Sequence, residues 1–170
     1  VLDVTSISHH ATMQDSTTIP SVAWIDNACV YAVQSSVHIG DERAEQMPSN
    51  VTRIAVSANS VAVAMESGQV AILSNTTITA YVSDNALKAL AWSRNGSMLV
   101  TGGVGKQLYV LDTSLRPLRD PIPVDGRVWD VKFSEFYLGV ALGDYTVRLL
   151  NDKFEFILKT GIFSARAEPC

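Results

Sequence analysis

Four segments of this chain, SVAWID, RIAVSA, ALAWSR and DVKFSE, can be stacked so that Trp24, Val56, Trp92 and Phe133 share one column. Their separations are 32, 36 and 41 residues. A period of this size constrains the fold more than any single motif, because each repeat must be one unit that buries its apolar face against its neighbours. Each segment is followed by a second apolar run (28–33, 60–65, 97–102, 137–142) and a third (36–40, 69–74, 107–112, 146–152). A more variable fourth run completes each unit, most clearly at 77–82 and 154–159.

The runs are short, rich in Val, Ile, Leu and Tyr, and separated by Ser, Asn, Asp and Gly, which is the chemistry of strands and turns. No segment sustains a helical period. Four strands per unit at a period approaching 40 residues predicts an all-β fold, a β-propeller segment of about four blades and part of a larger, seven-bladed ring. The predicted blades occupy residues 17–49, 50–83, 84–123 and 124–160. Residues 1–16 would end a preceding blade, with a late strand at 1–6, and residues 161–170 would form a tail or begin the next. Four blades of seven leave two apolar sheet faces uncovered. The chain, which opens on Val1, is therefore expected to be a piece of something longer, to pair with another copy, or to close as an unusually small ring.

Residues two apart share a strand face. Val22 and Trp24, Ile54 and Val56, Leu90 and Trp92, and Val131 and Phe133 form such pairs, which places Trp24 and Trp92 in the core; Trp129 extends the same parity nearer its strand's entrance. Between them lie Ala23, Ala55, Ala91 and Lys132, on the face where adjoining blades approach closely. Lys132 breaks that column of alanines. Burying an unpaired ammonium is costly, so Lys132 must pair with a carboxylate such as Asp130, reach water along its stem, or face a partner.

TGGVGKQ, residues 101–107, imitates a phosphate-binding loop. Counting back from Gly105 puts Val100 where the first glycine belongs, Gln107 stands where the magnesium-binding hydroxyl should be, and a strand follows in place of a helix. It is read as a hairpin turn, equivalent to residues 65–69 and 142–146. A formal charge of −4 offers no footprint for nucleic acid, and no stretch reaches the roughly 18 apolar residues of a membrane span. Cys29 and Cys170 make no disulfide framework, so a reducing, cytoplasmic setting is expected, and the acceptor patterns at Asn50, Asn75 and Asn95 are ascribed to turn-rich composition. His9, His10 and His38 have no metal-ligand spacing with either cysteine, and no nucleophile constellation is visible. No cofactor or metal is expected. Asp26, Glu66, Asp84, Asp125 and Asp144 fall in predicted turns, where their carboxylates can bond local amides.

GVALGDYTVRLLND (139–152) resembles the second and third strands of a WD-repeat, with Asp144 at the turn and Leu150 near the usual tryptophan. QLYVLD ends in Leu111-Asp112 in place of Trp-Asp, and LAWSRNGSMLVTGG (90–103) resembles the family's first turn. The resemblance covers roughly residues 17–160, without the Gly-His dipeptide that usually opens the first strand. Blades lacking both dipeptides, such as RIAVSANSVAVAMESGQVAIL (53–73), look like part of the actin-interacting protein 1 family. The resemblance implies a cytoskeletal role, binding actin together with cofilin and promoting filament disassembly.

Loops between second and third strands share one rim with the loops joining blades. That gathers Glu66 and Ser67, residues 83–85, Gly105 and Lys106, residues 125–127, and Asp144 and Tyr145. The residues expected to touch a protein partner are Glu66, Asp84, Lys106, Arg127, Trp129, Lys132 and Tyr145, with Asp144 as a structural turn residue. The expected function is a non-catalytic interaction scaffold. A coat or nuclear-pore subunit is compatible with the same repeats. A metal-dependent hydrolase would need ligands on the inner strands, where Asp130 is an isolated carboxylate.

Overall fold

The computed structural model describes residues 21–161, apart from Asp26, Asp41, Glu42, Asn59 and Asn75. The segment expected at 1–16, with its strand at 1–6, and all but the first residue of the one expected at 161–170 lie outside the described residues. Within them the chain is all-β, with four antiparallel four-stranded sheets and no helix. The first blade holds β1 (Val22–Ile25), β2 (Ala28–Val33), β3 (Ser36–Ile39) and β4 (Arg43–Gln46). The second holds β5 (Val51–Ser57), β6 (Ser60–Met65), β7 (Gln69–Leu73) and β8 (Ile78–Tyr81). The third holds β9 (Leu87–Trp92), β10 (Met98–Gly103), β11 (Gln107–Asp112) and the short β12 (Ile122–Pro123). The fourth holds β13 (Val128–Phe133), β14 (Leu138–Leu142), β15 (Thr146–Leu150) and β16 (Phe156–Gly161).

In every blade the strands pair in chain order. The first strands β1, β5, β9 and β13 stand side by side, each against the next, and line a common cavity of about 380 Å³. The architecture is a β-propeller segment whose sheets do not close on themselves.

The core lies between the sheets, in three layers. Ala32, Val30 and Val37 of the first blade meet Ile54, Val61, Val63 and Met65 of the second. Ala62, Ala64 and Val70 meet Leu87, Leu90, Trp92 and Leu99, and Ala89, Ala91 and Val100 meet Val128, Val131, Leu138 and Val140. The alternation read from the sequence is thus realised. The bulky column of each first strand faces the preceding blade, and the alanine column faces the following one. Trp92 is buried, and its indole N–H donates to the Ala55 carbonyl at 3.2 Å.

Trp24 corrects the expectation of a core residue. It is 67% exposed, because its face of the first blade points toward the side where no described sheet stands. Trp129 departs from the simple parity for another reason. The pairing of β13 with β14 shifts between Val128 and Asp130, so a β-bulge puts both Val128 and Val131 in the core and turns Trp129 outward. Similar shifts occur at Val51/Arg53 and at Gly102/Gly103, the latter where β10 meets β9.

Two glycines illustrate how tightly the turns fit. Gly40 has φ +58°, but a methyl there would meet only the Ala28 side chain, at 3.7 Å. Gly68 has φ +79°, and a Cβ would lie 1.7 Å from the Ser83 carbonyl oxygen, a backbone atom that cannot step aside. Gly40→Ala should cost about 1–2 kcal/mol from its left-handed backbone alone. Gly68→Ala should cost clearly more. Urea unfolding of the two variants measures the difference, and equal costs would contradict the turn geometry.

Candidate functional site

The rim predicted from the repeats is assembled by backbone hydrogen bonds. Turns between second and third strands bond the segments that join blades: Glu66 N–H to the Asn50 carbonyl (2.9 Å), Val82 N–H to Gly68 (3.0 Å), Val124 N–H to Lys106 (2.9 Å) and Gly143 N–H to Arg127 (2.8 Å). Each bond ties a turn to a chain segment distant in sequence. Residues from three blades therefore share one rigid edge.

The predicted residues divide by what they touch. Glu66 is engaged locally, accepting from the Asn50 side-chain amide at 3.2 Å and lying 3.7 Å from the Lys88 ammonium. Asp84 accepts the Tyr81 hydroxyl at 2.8 Å, and that bond to a carboxylate pushes the Tyr81 phenol above its ordinary pKa. Lys106 sits at φ +56° in the turn of residues 103–106, with its carbonyl holding Val124. The loop that imitates a phosphate site is a hairpin turn joining β10 to β11.

Arg127 and Trp129 come together at the corner of the fourth blade. Gly143 is their common neighbour: a methyl there would lie 2.9 Å from Trp129 Nε1 and 3.5 Å from Arg127 Cβ. Tyr145 is 78% exposed, at φ +62°, two residues beyond Gly143. Trp129 is half exposed. Lys132 is not part of this corner. It is exposed on the open face of the fourth blade, and Asp130 is taken by Arg53, whose Nη2 lies 3.4 Å from Oδ1 and donates to the Trp129 carbonyl at 3.2 Å.

Asp144 closes its turn by accepting the Thr146 hydroxyl at 2.6 Å and the Thr146 backbone amide at 3.1 Å. Those bonds, the hydroxyl first, hold its carboxyl below the usual carboxylate pKa against a smaller upward push from desolvation, with the Lys159 ammonium at 3.7 Å assisting. Asp125 pairs with Arg148 and lies 3.7 Å from the same lysine. Asn95, read as a turn residue, accepts from the Ser97 amide at 3.1 Å and from the Ser93 and Ser97 hydroxyls. His38 stacks on Tyr31 with ring centroids 4.8 Å apart.

The opposite rim carries a feature that the sequence reading missed. A cleft of about 490 Å³ opens between the third and fourth blades, with Met98, Phe133, Phe136, Tyr137 and Phe154 among its lining residues. Its counterpart between the second and third blades is lined largely by Ser, Thr and Asn. The available signal was SEFY (134–137), where two adjacent aromatics replace the small and polar residues of the equivalent turns. Arg94 and Glu135 face each other across the cleft, 3.7 Å apart.

No family model matches the chain, and no curated protein matches its sequence.

Asp144 has a folded pKa below its unfolded value, so its stabilising contribution is present above the unfolded pKa and is lost as pH falls through the folded one. Thr146→Val removes the hydroxyl donor and should move the Asp144 pKa upward, read from its side-chain carboxyl carbon in an NMR pH titration. An unmoved titration would contradict the assignment of that hydroxyl as the main cause.

Proposed function

We propose that this chain is a non-catalytic protein-interaction scaffold. The observation that carries the reading is the pair Arg127 and Trp129 beside Gly143, with the exposed Tyr145 two residues further along the same turn, on a rim braced by backbone hydrogen bonds. Tyr, Trp and Arg are the residues that most often anchor protein interfaces, since they bring large contact area with few rotatable bonds or a planar set of donors. Rigid sheets carry the entropic burden of ordering, and the exposed side chains remain available for a partner. Phe136 and Tyr137 present a second aromatic surface on the other rim.

The finer proposal follows from the WD-repeat resemblance of residues 139–152 and the kinship of residues 53–73 in texture with the actin-interacting protein 1 family. On that reading the partners are actin and cofilin, the setting is cytoplasmic, and the chain promotes filament disassembly without chemistry of its own. Glu66, Asp84 and Lys106 then supply the polar border of the contact, around the aromatic corner.

The test is co-sedimentation with filamentous actin, with and without cofilin. The chain should pellet with cofilin-decorated filaments, and Trp129→Ala or Tyr145→Ala should weaken that binding by at least about tenfold, the scale of an interface anchor, with circular dichroism unchanged. Absence of co-sedimentation in both conditions would remove the actin reading. Full binding by both variants would remove the corner as the contact.

A further inference from the structure

The cleft between the third and fourth blades is walled by aromatic side chains that the fold leaves largely in water. Phe136 is 67% exposed and Tyr137 is half exposed, with ring centroids 6.4 Å apart and planes at 69°. Their turn is held rigidly. The Ser134 amide and hydroxyl donate to the Tyr137 carbonyl at 2.8 and 3.1 Å, and the Tyr137 amide lies 3.0 Å from the same hydroxyl. The equivalent turn of the third blade, residues 93–97, is built from Ser, Arg, Asn and Gly and has no aromatic. Met98, Phe133 and Phe154, partly buried against the core, line the same cleft. Its volume of about 490 Å³ is that of a site able to enclose side chains of a ligand.

Three charged side chains also line it: Arg94, Glu135 and Asp152. Arg94 and Glu135 lie 3.7 Å apart with both side chains largely exposed, so their pairing holds little energy and can yield to a ligand. Asp152 is exposed and has no ion-pair partner among the described residues. Lys153, next in the chain, is not among the lining residues. Arg119 is already engaged, with its guanidinium 5.5 Å from the centre of the Phe154 ring and Nη1 donating to the Lys153 carbonyl at 2.7 Å. The cleft therefore joins an aromatic surface to one unpaired negative charge. It belongs to two consecutive blades, whereas the chain enters β1 and leaves β16 at the other rim, where Gly161 pairs with Thr146 beside the Asp144 turn.

We propose that this cleft binds a short segment of a partner protein, one that lays a large apolar side chain against Phe136, Tyr137 and Met98 and carries a lysine or arginine close by to pair with Asp152. The inference rests on the interaction-scaffold reading and gives it a second site, on the rim opposite Arg127 and Trp129. An apolar side chain displaces water from rings that the fold leaves wet, and such anchors in pockets are where interface energy concentrates. The adjacent cation answers the charge that the cleft leaves unpaired, and it is attracted in addition by the electron-rich ring faces. A basic residue at the mouth contributes mainly to selectivity and to the rate of encounter, as charges at an interface border do. A wholly apolar segment would leave Asp152 beside it without a partner, and an acidic one would be repelled by it.

Random peptides displayed on phage and selected against the 170-residue chain should yield a family that shares a large apolar residue with Lys or Arg close by. Labelled copies of the enriched peptides, titrated by fluorescence anisotropy, should bind Phe136→Ser and Asp152→Lys at least about tenfold more weakly, the scale of a lost interface anchor. Both positions are exposed, so each variant should keep the circular dichroism spectrum and urea midpoint of the parent. Added salt should weaken binding to the parent, and by less in Asp152→Asn. Trp129→Ala should bind the peptides with parental affinity, since it lies on the other rim. Peptide binding without actin co-sedimentation would remove the actin reading and keep this one. An absence of enriched peptides, enrichment of sequences without a basic residue, or parental affinity in Phe136→Ser or Asp152→Lys would each overturn the proposal.

Discussion

The contact between a bulky column and a small one is the constraint on which the rest of the structure depends. Trp92 against Ala55 shows it most clearly. A tryptophan buries on the order of 150–250 Å², about 4–6 kcal/mol of apolar transfer as an upper estimate. That area is available only because the facing residue has no side chain beyond Cβ. The sheets can approach closely along their first strands, where β1, β5, β9 and β13 gather around the central cavity. Each sheet lacks a complete core of its own. Stability is therefore shared between neighbours, and an end sheet is the least satisfied member.

This dependence also accounts for where the polar groups go. Main-chain groups freed at the ends of strands are taken up by the neighbouring loops, as in the bonds from Val124 to Lys106 and from Gly143 to Arg127. At the second-to-third junction, the Thr52 hydroxyl lies 2.5 Å from the Leu87 carbonyl and 3.0 Å from that of Ala64. The Ser21 hydroxyl likewise accepts the Ile54 amide at 2.9 Å, joining the first two blades. Such bonds fix the relative placement of sheets that the apolar layers hold together. The rim residues then project from a frame tied together by these backbone bonds, as an interaction surface requires.

The period of the repeats made the sheets legible, because each run alternates and each turn is rich in Ser, Asn, Asp or Gly. The runs at 28–33 and 60–65 coincide with β2 and β6. The fourth strands were less legible: β12 has only two residues, after a loop that no alternation marks, and β16 extends to Gly161, beyond the run at 154–159. Trp24 was misplaced because a face can be apolar whether or not a neighbour covers it, and sequence parity reports the face alone. Trp129 depended on a bulge, and a one-residue insertion in the pairing leaves no pattern of its own. Arg53 with Asp130 joins first strands of blades two apart, a proximity set by curvature of the ring and absent from any local pattern. The corner of Arg127 and Trp129 beside the turn of Tyr145 was partly legible, since the shared rim followed from topology, whereas the cleft beside SEFY required noticing a departure from the other turns.

The most direct test of the account is a double-mutant cycle across the second and third blades, using Ala55→Leu, Trp92→Ala and the combined variant, with unfolding free energies from urea titration. Overpacking at Ala55 and a cavity at Trp92 should each destabilise, the first by about 1–3 kcal/mol and the second by about 3–5 kcal/mol. Together they should cost less than their sum, by the roughly 0.5–3 kcal/mol expected of residues in contact. Strict additivity would mean that these two columns do not meet, and the blade-to-blade packing described here would be wrong.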